Sequence, residues 1–432
     1  MRPFVFKLAT LLKPATVTRE DAAVQLAELL PRLKVKLKSA GKDGVEMSAQ
    51  LFKALANEHG QARASAMLAK LGLSDAHPLD WPAVLKRELG TPQGRPAKFW
   101  RRLGGQLPQQ KKGDPPPHWH LDLCKARDIA VPLPGDWLDI KVGQIDTGYT
   151  QHRALGLPGK SWVDTRAARS FDGLAGEPGR DRMRGSYAGH GTSSASVCAG
   201  FDPDDDFYGV APCVPFVPVR VGQGILLDQR TYEFEAAVRY LVDEAKVAVI
   251  NVSMGTFLAP SAPEPIWRAV NHCYAHGVLL IAAAGNVPLN GWPAFPGALP
   301  RAIAVAGVER SCKPWLMSSS GEWVDVSGPA AGVRRAFASK FSTSAYTSAF
   351  GGTTCAAAMV SGAAARWLRQ HDKALKAYSS PWERIEAFRW ALRRSATRPD
   401  GWNPDAGYGT GILNIAQLLQ TDPPAASSLT QR

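Results

Sequence analysis

No uninterrupted apolar run in the 432 residues approaches the roughly 18 that a membrane-crossing helix needs, so no membrane partner is expected. The six cysteines, Cys124, Cys198, Cys213, Cys273, Cys312 and Cys355, contain no CxxC and no ligand spacing with histidine. That excludes a zinc ribbon or a dithiol motif and favours buried free thiols. The first residues, MRPFVFKLATLLKPATVTRED, are basic with a short apolar patch, but Lys7 interrupts it and no small-residue cleavage site follows. A secretory signal is therefore not expected, and a cytoplasmic location is.

Acidic side chains are the scarcer charges: 38 Asp and Glu stand against 51 Lys and Arg, for a net charge of +13. Through Asp114 the basic and acidic counts are 20 and 10, which leaves 31 and 28 beyond it. The excess thus sits in the N-terminal part. That part lacks the basic-aromatic interleaving of a nucleic-acid module, so nucleic acid is not an expected partner; a solvated basic face or a protein partner is. With 45% apolar and 21% charged residues, the composition is that of a soluble globular protein. The length leaves room for two or three domains, or for one large α/β domain with an appendage.

Thr18-Arg19-Glu20-Asp21 opens a helical pattern in which Ala22, Leu26, Leu29, Leu30 and Leu33 recur on one face. Leu51, Phe52 and Leu55, then Met67, Leu68 and Leu71, then Asp80 to Leu89 suggest further helices. Residues 1–103 read as a small, mostly helical, basic domain, and 104–117, GGQLPQQKKGDPPP, as a linker. Beyond it, short apolar runs alternate with helix-sized segments: Ile140 to Ile145, Val214 to Val221, Val247 to Met254, Val278 to Ala284 and Ala302 to Val308. Such runs predict a doubly wound α/β domain over 118–420 with a buried parallel sheet, followed by a tail at 421–432. Chemistry in such a sheet collects past the carboxyl ends of its strands.

Four stretches lie at those places. KVGQI ends in Asp146-Thr147-Gly148; SYAGHGTSSASVCAG places His190 between glycines before a run of small residues; VLLIAAAGN ends at Gly285-Asn286; and GGTTCAAAMVSG puts Thr353 and Thr354 before a small-residue helix. Each is ordinary alone, since Asp-Thr-Gly and Gly-Asn make turns and a hydroxyl before a helix is a favoured cap. The same helix start also suits a nucleophile, because free N–H groups and the helix dipole stabilise negative charge.

Together, in this order, the four resemble the motifs of the subtilisin-like serine peptidases, the subtilases. The resemblance runs from about His118 to about Leu419. IDTG matches the family's Asp motif, GHGT its His motif with Ser193 where a second histidine is usual, and AAAGN its oxyanion motif. VINVSMG matches the strand lining the substrate cleft, and GYGTGILNIAQLL the C-terminal loop and helix. GGTTCAAAMVSG lines up with Gly-Thr-Ser-Met-Ala-x-Pro-x-Val-x-Gly, so Thr354 stands at the nucleophilic serine, Cys355 at a packing methionine, and Ala358 where proline is usual.

The resemblance implies an endopeptidase with a triad of Asp146, His190 and Thr354 and an oxyanion hole at Asn286. It implies a protein or peptide substrate laid along Ser253, Met254 and Gly255, and a side-chain pocket at Ala284, Gly285 and Gly291, beside Trp292, that prefers apolar or aromatic residues. Thr354 points to reduced or silenced activity, because its methyl group restricts χ1 beside the imidazole. The alternative is a peptidase-derived module that binds peptides or a partner without chemistry. No cofactor is expected. Subtilases often bind calcium, but no site is assigned: the cluster Asp202, Asp204, Asp205 and Asp206 reads as a solvated loop. The N-terminal domain reads as propeptide-like or regulatory.

Overall fold

The computed structural model describes residues 116–432 except 131–134, 157–160, 185–186, 257–260, 287–292, 340–341 and 350. The predicted N-terminal helices and nearly all of the linker lie outside the described residues, as do Gly291 and Trp292.

The domain is organised on a seven-stranded sheet. Its strands are β1 (Val142–Asp146), β2 (Arg169–Ser170), β3 (Phe216–Arg220), β4 (Val249–Val252), β5 (Leu279–Ala283), β6 (Ile303–Val308) and β7 (Val326–Pro329). They lie in the order β2-β3-β1-β4-β5-β6-β7, and all pairs are parallel. Val142 sits opposite Phe216 on one side and Val249 on the other. Each of the five predicted apolar runs therefore holds a strand.

Successive strand residues face opposite sides of a sheet, and two cores follow from that alternation. Val142, Val249, Leu279, Ile281 and Ile303 enter one core; Ile145, Val217, Val219, Ile250, Val252 and Leu280 enter the other. Helices α2 (Thr231–Asp243) and α3 (Glu264–Ala275) supply the second core, with Phe234, Leu241, Ile266 and Val270 fully buried. On the first side lie α1 (His190–Ala199), α4 (Thr353–Gln370), α5 (Pro381–Ser395) and α6 (Ile415–Gln420). Each fully buried Leu or Ile contributes roughly 2 kcal/mol over exposure.

Small residues let α4 run through the interior. Ala356, Ala357, Ala358, Ala363, Ala364 and Ala365 are all fully buried, and the helix packs on β4 through β7 and on α1. Helix α5 begins with a full capping box between Ser380 and Glu383, which satisfies two otherwise unpaired N–H groups. The segment 421–432 is tied down: the Trp367 indole donates to Thr421 O at 3.1 Å, Tyr378 Oη to Pro424 O at 2.7 Å, and Arg432 N to Tyr274 Oη at 3.0 Å.

Strands β2 and β7, and a hairpin of β8 (Arg335–Ser339) and β9 (Ser342–Thr347), carry no apolar run in the sequence. The hairpin is built mostly of Ser, Thr, Ala and Arg, and β7 reads VSGP, so neither shows a two-residue or continuous hydrophobic pattern.

Candidate active site

Asp146 is the last residue of β1 and is fully buried. Its Oδ1 accepts from Thr147 N at 2.7 Å and from His190 Nδ1 at 2.7 Å. A proton on Nδ1 is what that second contact requires, and it leaves the Nε2 lone pair of the neutral ring free. His190 opens α1 directly after Gly189. The helix start approaches the strand tip so closely that a Cβ at position 191 would lie 1.9 Å from Gly148 O, which explains the glycine after the histidine.

A second carboxylate ties these two turns together. Asp181 Oδ2 accepts from Thr147 Oγ1 at 2.7 Å and from Gly189 N at 2.9 Å, and its Oδ1 from Met183 N at 2.7 Å. Thr147 Oγ1 in turn accepts from Gly191 N at 3.2 Å. Burial raises the Asp181 carboxyl above its ordinary pKa, against the lowering effect of these hydrogen bonds. Sequence reasoning missed Asp181, which stands 34 residues from Thr147 in a stretch without a motif.

Asn286 follows β5 and faces the start of α4. Its Oδ1 accepts from both Thr353 N and Thr353 Oγ1, and Gly285 N donates to the same hydroxyl at 3.2 Å. The carbonyl end is held, and Nδ2 lies beside Gly352, the residue that precedes the helix. A Cβ at position 352 would come within 3.0 Å of Nδ2, so glycine there keeps the amide unobstructed. Thr354 is the second residue of α4 and half-buried. Its N–H belongs to the first turn, whose donors the helix leaves unpaired. Among the described residues neither the Thr354 hydroxyl nor His190 Nε2 has a hydrogen-bond partner. Cys355 is 2% exposed and burial pushes its thiol up, so it is an inert packing residue.

A buried polar spine holds α1, β1, β4 and α4 in register. Asn251 Nδ2 donates to Gln144 Oε1 and to Ser194 Oγ, both at 3.2 Å, and its Oδ1 accepts from Ser361 Oγ at 3.0 Å. Gln144 Nε2 donates to Gly191 O at 2.7 Å, one residue past His190. Ser253 belongs to this spine, with its Oγ 2.9 Å from that of Ser194, so its side chain faces inward.

Of the other residues expected to line the substrate, Gly255 and Gly285 are half-buried. Met254 is 3% exposed and Ala284 fully buried. Gly255 N donates to Ile225 O, and Gly255 O accepts from Leu227 N, each at 3.0 Å. Both main-chain groups of Gly255 are thus taken by the loop at 225–227.

The acidic cluster is not a loop solvated throughout. Asp202 is 4% exposed, and Arg153 reaches Asp202 and Asp204 at 2.9 Å and Asp205 at 3.3 Å. Tyr346 Oη donates to Asp202 at 2.6 Å, and His118 lies 2.8 Å from Asp206. A guanidinium occupies the place where the carboxylates converge, so these residues do not fit calcium, which needs six to eight oxygen ligands.

The subtilase family model, Peptidase_S8, matches residues 138–411, a stretch containing Asp146, His190, Asn286 and Thr354. Subtilisin DY of Bacillus licheniformis is 28% identical over 290 residues, covering 65% of this chain and 91% of that protein. Subtilisin Savinase of Lederbergia lenta is 27% identical over 275 residues, covering 64% and 88%. The structure of MycP1 from Mycobacterium smegmatis shares the fold, with a TM-score of 0.56 at 21% identity over 74% of this chain and 88% of that one. So does a protease from Pseudoalteromonas arctica, with a TM-score of 0.56 at 23% identity over 70% and 96%.

Proposed function

The chain belongs to the subtilase family of subtilisin-like serine peptidases, and on that premise we propose that it is a slow endopeptidase using Asp146, His190 and Thr354. The observation that carries this reading is the 2.7 Å contact from His190 Nδ1 to a fully buried carboxylate. A charged group kept in that position orients the ring and leaves Nε2 as the base.

In the proposed reaction Thr354 Oγ1 attacks the scissile carbonyl while His190 Nε2 takes its proton. Asp146 stabilises the resulting imidazolium, and the peptide C–N bond breaks as His190 returns the proton to the leaving amine. Water, deprotonated by the same histidine, then hydrolyses the acyl-threonine ester. Asn286 Nδ2 and Thr354 N–H hold the oxyanion, a contribution of about 3 kcal/mol per side-chain donor, a figure that itself comes from a subtilisin. The Thr354 methyl must fit beside the imidazole or the incoming carbonyl, which slows the attack.

Supporting the alternative, a peptide-binding module without turnover, is the Thr354 hydroxyl, which has no partner among the described residues. The substrate is a protein or peptide chain with an apolar or aromatic residue in the pocket near Ala284 and Gly285. The proposal also takes residues 1–103 as a propeptide-like or regulatory domain with a protein partner, and the location as cytoplasmic.

The test pairs the wild type with Thr354→Ser, each incubated with a mixed peptide library and a fluorophosphonate probe. Slow cleavage by the wild type and much faster cleavage and labelling by the serine form support the peptidase reading. Binding without cleavage by either form supports the module.

A further inference from the structure

We propose a transition-metal site far from the triad chemistry, formed by Asp243, His272 and His276. One ligand atom from each of the three lies within 4.8 Å of the other two. Asp243 is the last residue of α2, while His272 lies in the last turn of α3 and His276 caps it. The four-residue spacing puts both imidazoles on one helix face, with ring centroids 4.2 Å apart.

Each ligand is already oriented. His272 Nε2 lies 2.8 Å from Asp243 Oδ1. His276 Nδ1 lies 2.8 Å from His272 O, so a main-chain carbonyl holds that nitrogen's proton and Nε2 keeps its lone pair. An imidazole whose second nitrogen donates to a carbonyl is the usual arrangement of a metal-bound histidine. The carboxyl ends of α2 and α3 add negative dipole to the spot.

The donor set selects the ion. Two imidazole nitrogens and one carboxylate suit zinc, cobalt, nickel or copper, not calcium or magnesium, which take oxygen. In a tetrahedral zinc site the donor atoms stand about 3.3 Å apart, so the exposed His276 ring must close in, and water completes the fourth position. Ligation through His272 Nε2 moves that ring's proton to Nδ1, which faces Arg239 Nη1 at 3.5 Å. Arg239 is the competing cation, and Glu235, which it meets at 3.2 Å, offers it a place to withdraw. The bound ion would staple the ends of α2 and α3.

The experiment titrates the full chain with zinc chloride in a calorimeter and follows the thermal midpoint, with calcium chloride as control. Wild type, His276→Ala, Asp243→Asn and Arg239→Gln are compared. The expected result is one zinc equivalent bound by the wild type, with a raised midpoint, and a loss of about tenfold or more in affinity in each ligand variant. Arg239→Gln should bind severalfold more tightly. Equal zinc affinity in the wild type and both ligand variants overturns the site, as does a wild type that binds calcium as well as zinc. Because His276 and Asp243 are exposed, at least one ligand variant is expected to fold, which circular dichroism checks.

Discussion

Asn286 Oδ1 receives both the N–H and the hydroxyl of Thr353, at 2.9 and 2.8 Å. This double contact fixes which end of the amide faces the helix start, and it assigns Thr353 a positioning role one residue before the proposed nucleophile. In a Thr354→Ser background, Asn286→Ala should lower kcat by about 10²- to 10³-fold. Thr353→Val keeps the shape and the N–H contact but loses two hydrogen bonds, one to Asn286 Oδ1 and one from Gly285 N, so its loss should be about tenfold. Steady-state kcat on one cleaved peptide checks both. A Thr353→Val loss as large as that of Asn286→Ala would remove the distinction between them.

The pairing of Gly255 with Ile225 and Leu227 closes the edge that an extended peptide would use. A substrate must displace the 225–227 loop before it can bond to Gly255, and that displacement weakens apparent binding by the fraction of molecules already open. Ile225 and Leu226 are half-buried, whereas Leu227 is fully buried and anchors the loop. Replacing Ile225 and Leu226 with glycine should lower KM severalfold with little change in kcat, again in the Thr354→Ser background. An unchanged KM would show that the loop is no barrier.

The sheet was legible because its strands are buried on both faces, and continuous runs such as VINV and IAVAGV can mean little else at that length. Asp146, His190, Asn286 and Thr354 were legible as a set because each falls at a strand tip or helix start. Asp181 was not: its importance lies in accepting from Thr147 and Gly189, two turns that meet only in the fold. Arg153 was equally silent, since nothing local in a sequence says which cation will answer an acidic turn 49 residues away. The 225–227 loop was hidden for the same reason, because a main-chain pairing carries no residue signature.

Arg153 is the common partner of Asp202, Asp204 and Asp205, and Asp202 is buried among them. Arg153→Ala should lower the thermal midpoint by several degrees, because it leaves a buried carboxylate whose remaining partner is the Tyr346 hydroxyl. Arg153→Lys should recover only part of it, since a single ammonium cannot reach three carboxylates as a forked guanidinium does. Calcium should leave the wild-type midpoint unchanged. A wild type stabilised by calcium would mean that the carboxylates prefer the metal to the arginine. The midpoint from thermal unfolding, with and without calcium, decides.

Burial depresses three imidazoles, His120, His152 and His371, and makes the fold sensitive to acid. Burial, helped by His118 and Arg334, depresses His120 to about 3, and burial depresses His152 to about 4 despite its hydrogen bond to Ala345 O. In the unfolded chain both titrate near 6.5. Above that pH neither state is protonated and the stability is complete. As pH falls below about 6.5 the unfolded chain takes up protons that the folded chain refuses, so each group costs about 1.4 kcal/mol per pH unit until its folded pKa is reached. Between pH 6.5 and 5 His120 and His152 together should contribute roughly 2 kcal/mol per unit to the slope in denaturant unfolding. His120 Nδ1 has no hydrogen-bond partner among the described residues, and His120→Phe removes the titration. It should lower the slope in that window by roughly 1 kcal/mol per unit. A variant slope equal to that of the wild type would mean that His120 is hydrated in solution and takes its proton as easily folded as unfolded.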